Sequence, residues 1–109
     1  MNNIKKNCVF ALIPARKGSK SIRYKNIKLL NGHPLISYSI VAALNCTVID
    51  KVFVTTDSEK IRKISRKYGA QVPFLRPKNI SNDNSKDITF FNHFLNFRKK
   101  NKLFLPEYI

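Results

Sequence analysis

The six-residue run Cys8-Val9-Phe10-Ala11-Leu12-Ile13 is apolar at every position and is closed by Pro14. A short stretch with no polar face fits a strand covered on both sides, the usual state of a strand inside a parallel sheet. Proline cannot donate to a ladder, so the strand ends there. A strand of this kind commits the chain to helices on both faces of the sheet, and the remaining residues supply them.

A polar connection runs from 14 to 32 and closes at Gly32. Pro34 then stands at the first position of a helix predicted over 34–45, with Leu35, Ile36, Ile40, Ala43 and Leu44 on its apolar face. Residues 51–56, KVFVTT, are β-branched and aromatic and predict a second strand. Asp57 or Ser58 caps the next helix, whose inward face is Ile61, Ile64 and Tyr68, and Gly69 stops it. For Asp57 the cap is the preferred role over a catalytic one. Gln71-Val72-Pro73-Phe74-Leu75 reads as a short third strand or an extended segment, placed at a sheet edge by its proline. A last helix starts near 86 with Ile88, Phe91, Leu95 and Phe94 inward. It ends in the basic run Arg98-Lys99-Lys100-Asn101-Lys102, which suits the negative end of a helix dipole. The tail from Leu103 to Ile109 resembles the approach to another strand. Strand–helix alternation of this kind predicts an α/β fold with a mostly parallel sheet. Three parallel strands leave apolar surface open, so the expectation is a single unit, 1–109, that is incomplete at its C-terminal end.

The segment after the first strand, IPARKGSKSIRYKN, carries Arg16, Lys17, Lys20, Arg23 and Lys25 without an acid. Overall the 109 residues hold 21 Lys and Arg against 6 Asp and Glu, a net charge of +15, and no acid precedes Asp50. A Lys-, Asn- and Ile-rich composition raises the total charge by itself, but it does not place five cations in one loop. In open α/β sheets ligands bind at the carboxyl ends of the strands, which is where this loop lies. Backbone amides around Gly18, the Ser19 hydroxyl, the Arg16 fork and the Lys20 and Lys25 ammonium groups suit a phosphate. The glycine patterns of the Walker loop and of the dinucleotide-binding turn are absent. Cys8 and Cys46 have no metal spacing or disulfide framework, His33 and His93 read as surface positions, and no run is long enough to span a bilayer. These points favour a cytoplasmic protein. A small basic nucleic-acid-binding module is the alternative. It is disfavoured because the aromatic residues recur at helical spacing with Ile and Leu, as core residues do.

Longer motifs narrow the choice. Ile13-Pro14-Ala15-Arg16-x-Gly18-Ser19-Lys20 with Lys25-Asn26-Ile27 resembles the signature of the acylneuraminate cytidylyltransferases. These are the CMP–sialic acid synthetases and their relatives for pseudaminic and legionaminic acids. Gly32-x-Pro34-Leu35-Ile36-x-Tyr38-x-Ile40, Val54-Thr55-Thr56-Asp57-Ser58-Glu59-x-Ile61 and Tyr68-Gly69-Ala70-x-Val72-Pro73-Phe74-Leu75-Arg76-Pro77 are similar to later stretches of that family, in order. Asp83 and Ser85 stand at its Asp-x-Ser/Thr pattern. The resemblance implies the Rossmann-like parallel sheet of the nucleotide-diphospho-sugar transferases. It also implies transfer of CMP from CTP to a nonulosonic acid, with pyrophosphate released, in the synthesis of surface glycans. Arg16 and Lys25 would be catalytic, neutralising the triphosphate and its developing charge. Ala15, Gly18, Ser19, Lys20 and Asn26 would complete the nucleotide cradle, and Arg76, Ser81, Asp83 and Ser85 would position the cytidine. Lys17, Ser21 and Arg23 depart from the family pattern and receive no role. Mg²⁺ would be the cofactor, with its protein ligands, the sugar site and a homodimer contact supplied by family segments beyond residue 109. The 109-residue chain is therefore expected to be inactive alone, with no nucleic acid or membrane partner.

Overall fold

The computed structural model describes residues 3–18, 25–77 and 87–109, with the backbone alone at 87 and 88. Its centre is strand β1 (Ile4–Pro14), longer than the apolar run predicts. Strand β4 (Lys51–Thr55) pairs with it in parallel from Phe10 opposite Lys51 to Pro14 opposite Thr55. On the other side β5 (Leu105–Tyr108) pairs in parallel with the start of β1, giving the order β4-β1-β5. The register slips between Lys5 and Val9, where Asn7 takes a φ of 60° and donates its backbone N–H to Glu107 Oε1 at 2.6 Å. Asparagine is among the few residues that tolerate this conformation. A two-residue pair, β2 (Leu29–Leu30) and β3 (His33–Pro34), forms a separate antiparallel hairpin ahead of helix α1 (Leu35–Leu44).

Side chains alternate across the sheet with period two. Cys8, Phe10 and Phe53 point to one face, where Phe94 of helix α3 (Asp87–Lys100) covers them together with Leu12, Phe74 and Phe104. Ala11, Ile13, Val52 and Val54 point to the other, under Ile36 and Ile40 of α1 and Ile61 of helix α2 (Glu59–Lys67). The result is helices on both faces of a parallel sheet, as the doubly apolar strand predicts.

Five local expectations are refined or corrected. Residues 71–75 take the extended alternative rather than the strand, alongside β4. Gln71 and Leu75 make isolated parallel bridges to Phe53 and Thr56, and the Val72 carbonyl is taken by Arg62 Nε and Arg66 Nη2 of α2 at 3.1 and 2.9 Å. Pro34 is the residue before α1 rather than its first, since its ψ of 143° is extended and it pairs with Leu29. On α1 itself Leu35 and Leu44 face solvent, while Ile36, Ser37 and Ile40 are buried. On α3 the inward row is Phe90, Phe94 and Arg98, four apart, with Phe91 and Leu95 only half-buried and the Ile88 side chain outside the described residues. The Arg98 guanidinium lies over the rings of Phe10, Phe53 and Phe104 at 5.0, 5.6 and 4.9 Å. Its Nε donates to the Phe104 carbonyl at 2.8 Å, so it is a core residue rather than a solvated end charge.

Candidate functional site

The carboxyl ends of β1 and β4 lie side by side, and the segment after Leu75 leaves from the same edge. Ala15 is buried and its N–H donates to the Thr55 carbonyl at 2.9 Å, carrying the ladder one residue past β1. The chain then turns away. Arg16 is half-buried and its carbonyl accepts from Asn26 Nδ2 at 3.4 Å. The Lys17 N–H donates to Asp57 Oδ1 at 2.7 Å. A Cβ built on Gly18 would meet no protein atom within 4 Å, so packing among the described residues does not demand glycine there. Lys25 is exposed and opens a 3₁₀ turn, Lys25–Ile27, that presents Asn26 toward the Arg16 carbonyl.

Arg76 approaches from the opposite flank. Its backbone N–H donates to the Thr56 carbonyl at 2.7 Å, and its guanidinium lies over the Phe90 ring at 5.8 Å. The residue is only 7% exposed, and its Nε finds no hydrogen-bond partner among the described residues. Burial pushes its pKa below the ordinary arginine value; Asp57 opposes that shift and Arg16 adds to it. Arginine nevertheless remains a cation at neutral pH. Two guanidinium groups thus stand within electrostatic reach of one another at a sheet edge, one of them stripped of water. An orphaned buried donor costs free energy unless something accepts from it, and a negatively charged acceptor suits this setting best.

Of the residues predicted for the site, the structure brings Ala15, Arg16, Gly18, Asn26 and Arg76 to this edge, with Lys25 exposed on the rim. Ser19, Lys20, Ser81, Asp83 and Ser85 lie outside the described residues. Two side chains were missed. Asp57 does not cap α2; the Ser58 hydroxyl does, accepting from the Ile61 N–H at 3.2 Å, and Asp57 reaches the loop instead. The signal was available, since Asp57 follows the second buried strand just as the basic loop follows the first. His93 on α3 packs edge-on against Phe74 at 4.8 Å between ring centres, and its buried Nδ1 has no partner among the described residues. Burial, and secondarily Arg76, hold it below the usual histidine pKa, so the ring is neutral at pH 7. The residue is half-buried on the helix surface, with its Nδ1 turned inward. His33, by contrast, is exposed and hydrogen-bonds through Nδ1 to the Tyr68 hydroxyl at 2.9 Å.

No three His, Cys, Asp or Glu side chains among the described residues form a metal-ligand group. Asp57, the carboxylate placed between the loop and Arg76, already accepts an amide through Oδ1. The described residues do not fit a Mg²⁺ site, and no chemical step is assigned to one. None of the helices among them is long and apolar enough to cross a membrane.

Comparison with known proteins agrees with this geometry. The chain is 53% identical over 72 residues to a pseudaminic acid cytidylyltransferase of Campylobacter jejuni, covering 66% of this chain and 31% of the relative. It is 46% identical over 77 residues to a CMP-N,N'-diacetyllegionaminic acid synthase of Legionella pneumophila, covering 71% and 33%. It is 44% identical over 87 residues to an N-acylneuraminate cytidylyltransferase of Escherichia coli, covering 80% and 20%. The chain therefore spans a third or less of the length of these relatives. Among solved structures, CMP:2-keto-3-deoxy-manno-octonic acid synthetase complexed with CTP superposes on 98% of this chain with a TM-score of 0.64, using 40% of its own length. At 19% identity that likeness shows the fold alone, a parallel sheet with helices on both faces. The family model described as cytidylyltransferase matches residues 10–100, and the chain belongs to that family.

Proposed function

We propose that residues 1–109 form the nucleotide-binding portion of a cytoplasmic enzyme that transfers CMP from CTP to a nonulosonic, sialic-type acid for surface glycan synthesis. The observation that carries this reading is the pair of guanidinium groups, Arg16 and Arg76, held at the carboxyl edge of the sheet with the buried Nε of Arg76 unpartnered among the described residues. The substrate class comes from the relatives, which are named for pseudaminic, legionaminic and N-acylneuraminic acids.

In this reading the anomeric hydroxyl of the acid sugar attacks the α-phosphorus of CTP and pyrophosphate leaves. Displacement at phosphorus is accelerated mainly by positioning and by fixed charge. Arg16 and Lys25 neutralise the triphosphate and the charge that develops on the leaving oxygens. Ala15, Gly18, Ser19, Lys20 and Asn26 shape the phosphate cradle, and Arg76 with Ser81, Asp83 and Ser85 positions the cytidine. In the same reading the full-length enzyme is a homodimer. Because the chain spans only 20–33% of the relatives' length, the acid-sugar site is assigned to the part they do not share with it.

Calorimetric titration of CTP into the purified 109-residue chain tests the proposal. Measurable binding is expected, reduced about tenfold by Arg16→Ala or Lys25→Ala, as for loss of one hydrogen bond to a charged group. Equal binding by all three proteins would remove the assigned roles. The chain is expected to form no CMP-sugar by itself, and detection of that product would overturn the division of labour.

A further inference from the structure

The end of β4 receives three amides from the two segments that frame the site. Thr55 O accepts from Ala15 N at 2.9 Å, Thr56 O from Arg76 N at 2.7 Å, and Asp57 Oδ1 from Lys17 N at 2.7 Å. The first two are backbone bonds that any residue could accept. The third depends on a side chain, and that side chain is not occupied in capping, because Ser58 caps α2. Asp57 is also the negative group that Arg76 senses, against the repulsion of Arg16. Without a counter-charge, two guanidinium groups brought together before a ligand arrives would repel each other and splay apart.

We infer that Asp57 is a positioning residue that couples the two flanks of the site: its carboxylate fixes the Lys17 amide, and hence the Arg16–Gly18 turn, and its charge lets Arg16 and Arg76 stand together in the free protein. The inference rests on the CTP reading only for the identity of the ligand. One consequence is specific. The phosphate end and the nucleoside end of a ligand are held by flanks registered on one residue, so they are recognised as a unit. If Asp57 were merely a nearby negative charge, its removal would tighten the binding of every phosphate ligand alike.

The test compares CTP with inorganic tripolyphosphate, titrated calorimetrically into the parent chain, Asp57→Ala and Asp57→Asn. Nitrogen-15 NMR of the Lys17 amide and of the Arg76 Nε–H accompanies it. In Asp57→Ala, CTP binding should weaken about tenfold, as for loss of a charge-assisted hydrogen bond. Tripolyphosphate binding should stay equal or tighten. An asparagine side chain lacks the carboxylate's charge, but its amide oxygen can still accept from the Lys17 N–H, so Asp57→Asn should recover part of the CTP affinity. The Lys17 amide should lose exchange protection in Asp57→Ala and keep it in Asp57→Asn, while the Arg76 Nε–H resonance moves in both. CTP and tripolyphosphate affinities that change by the same factor in Asp57→Ala would overturn the inference. So would unchanged Lys17 and Arg76 signals in that variant. If the parent chain does not bind CTP, the CTP reading fails, and the two NMR signals alone decide whether Asp57 couples the flanks.

Discussion

Replacing Arg98 by alanine should destabilise the chain by about 3 kcal/mol, and replacing it by methionine should cost about half of that. Two opposing effects set these magnitudes. The residue is 6% exposed, and burial pushes its pKa below the ordinary arginine value, so the charged form loses hydration on folding. Against this, its Nε–H satisfies the Phe104 carbonyl at 2.8 Å and its plane contacts three phenylalanine rings. An orphaned buried carbonyl costs roughly 1–3 kcal/mol, and a desolvated cation over an aromatic face gains about 2 kcal/mol. The three ring contacts share one cation and do not add. Alanine loses all of these and leaves the space of the stem unfilled. Methionine refills much of that space and needs no hydration, so only the carbonyl's partner is missing. The carbonyl belongs to the residue just before β5, so amide exchange at Leu105 should quicken in both variants. Urea unfolding followed by circular dichroism would measure the differences. An alanine variant within about 0.5 kcal/mol of the parent, the usual range for a surface change, would show that Arg98 is a solvated end charge after all.

His93 supplies a pH dependence. Its folded-state pKa is depressed by burial and then by Arg76, so below about pH 6.5, the ordinary histidine value, the unfolded chain binds a proton that the folded chain resists. Stability from this group is therefore complete above that pH and is lost as the pH falls toward the folded value; His93→Phe should flatten the thermal midpoint across pH 5 to 7, and an unchanged slope would refute the assignment. Gly69→Ala should cost roughly 1–2 kcal/mol by thermal unfolding, because φ is 104° there and the new Cβ would meet Leu44 Cδ1 at 3.0 Å. A neutral result would mean that the turn after α2 relaxes freely.

Much of the site could be read from the sequence because its logic is local. Arg16 and Gly18 follow a buried strand directly, and the end of a strand in a parallel sheet faces the ligand side. Arg76 entered through a motif, but its burial over Phe90 and its tether to Thr56 could not be read there, since both partners are remote in sequence. Asp57 was read as a cap because Asp and Ser serve equally well before a helix. Only the position of Lys17 across the sheet edge shows which of the two caps and which one reaches over.

The sequence by itself determined the two central parallel strands, the three helices that cover them on both faces and the cationic loop at the end of β1. Apolar periodicity, capping residues and strand-ending prolines act within a few positions of the chain, so no long-range knowledge is needed to read them. Strand order was decided in three dimensions. Residues 71–75 were available for the third strand, yet β5, from the far end of the chain, takes the free edge of β1. Arginines from α2 then hold the 71–75 segment as two bridges beside β4. The inward face of α3 was decided the same way. Phe90, Phe94 and Arg98 face in because the sheet presents Phe10 and Phe53 to receive them, and a pattern with phenylalanines at 90, 91, 94 and 97 fits more than one helix rotation until that surface exists.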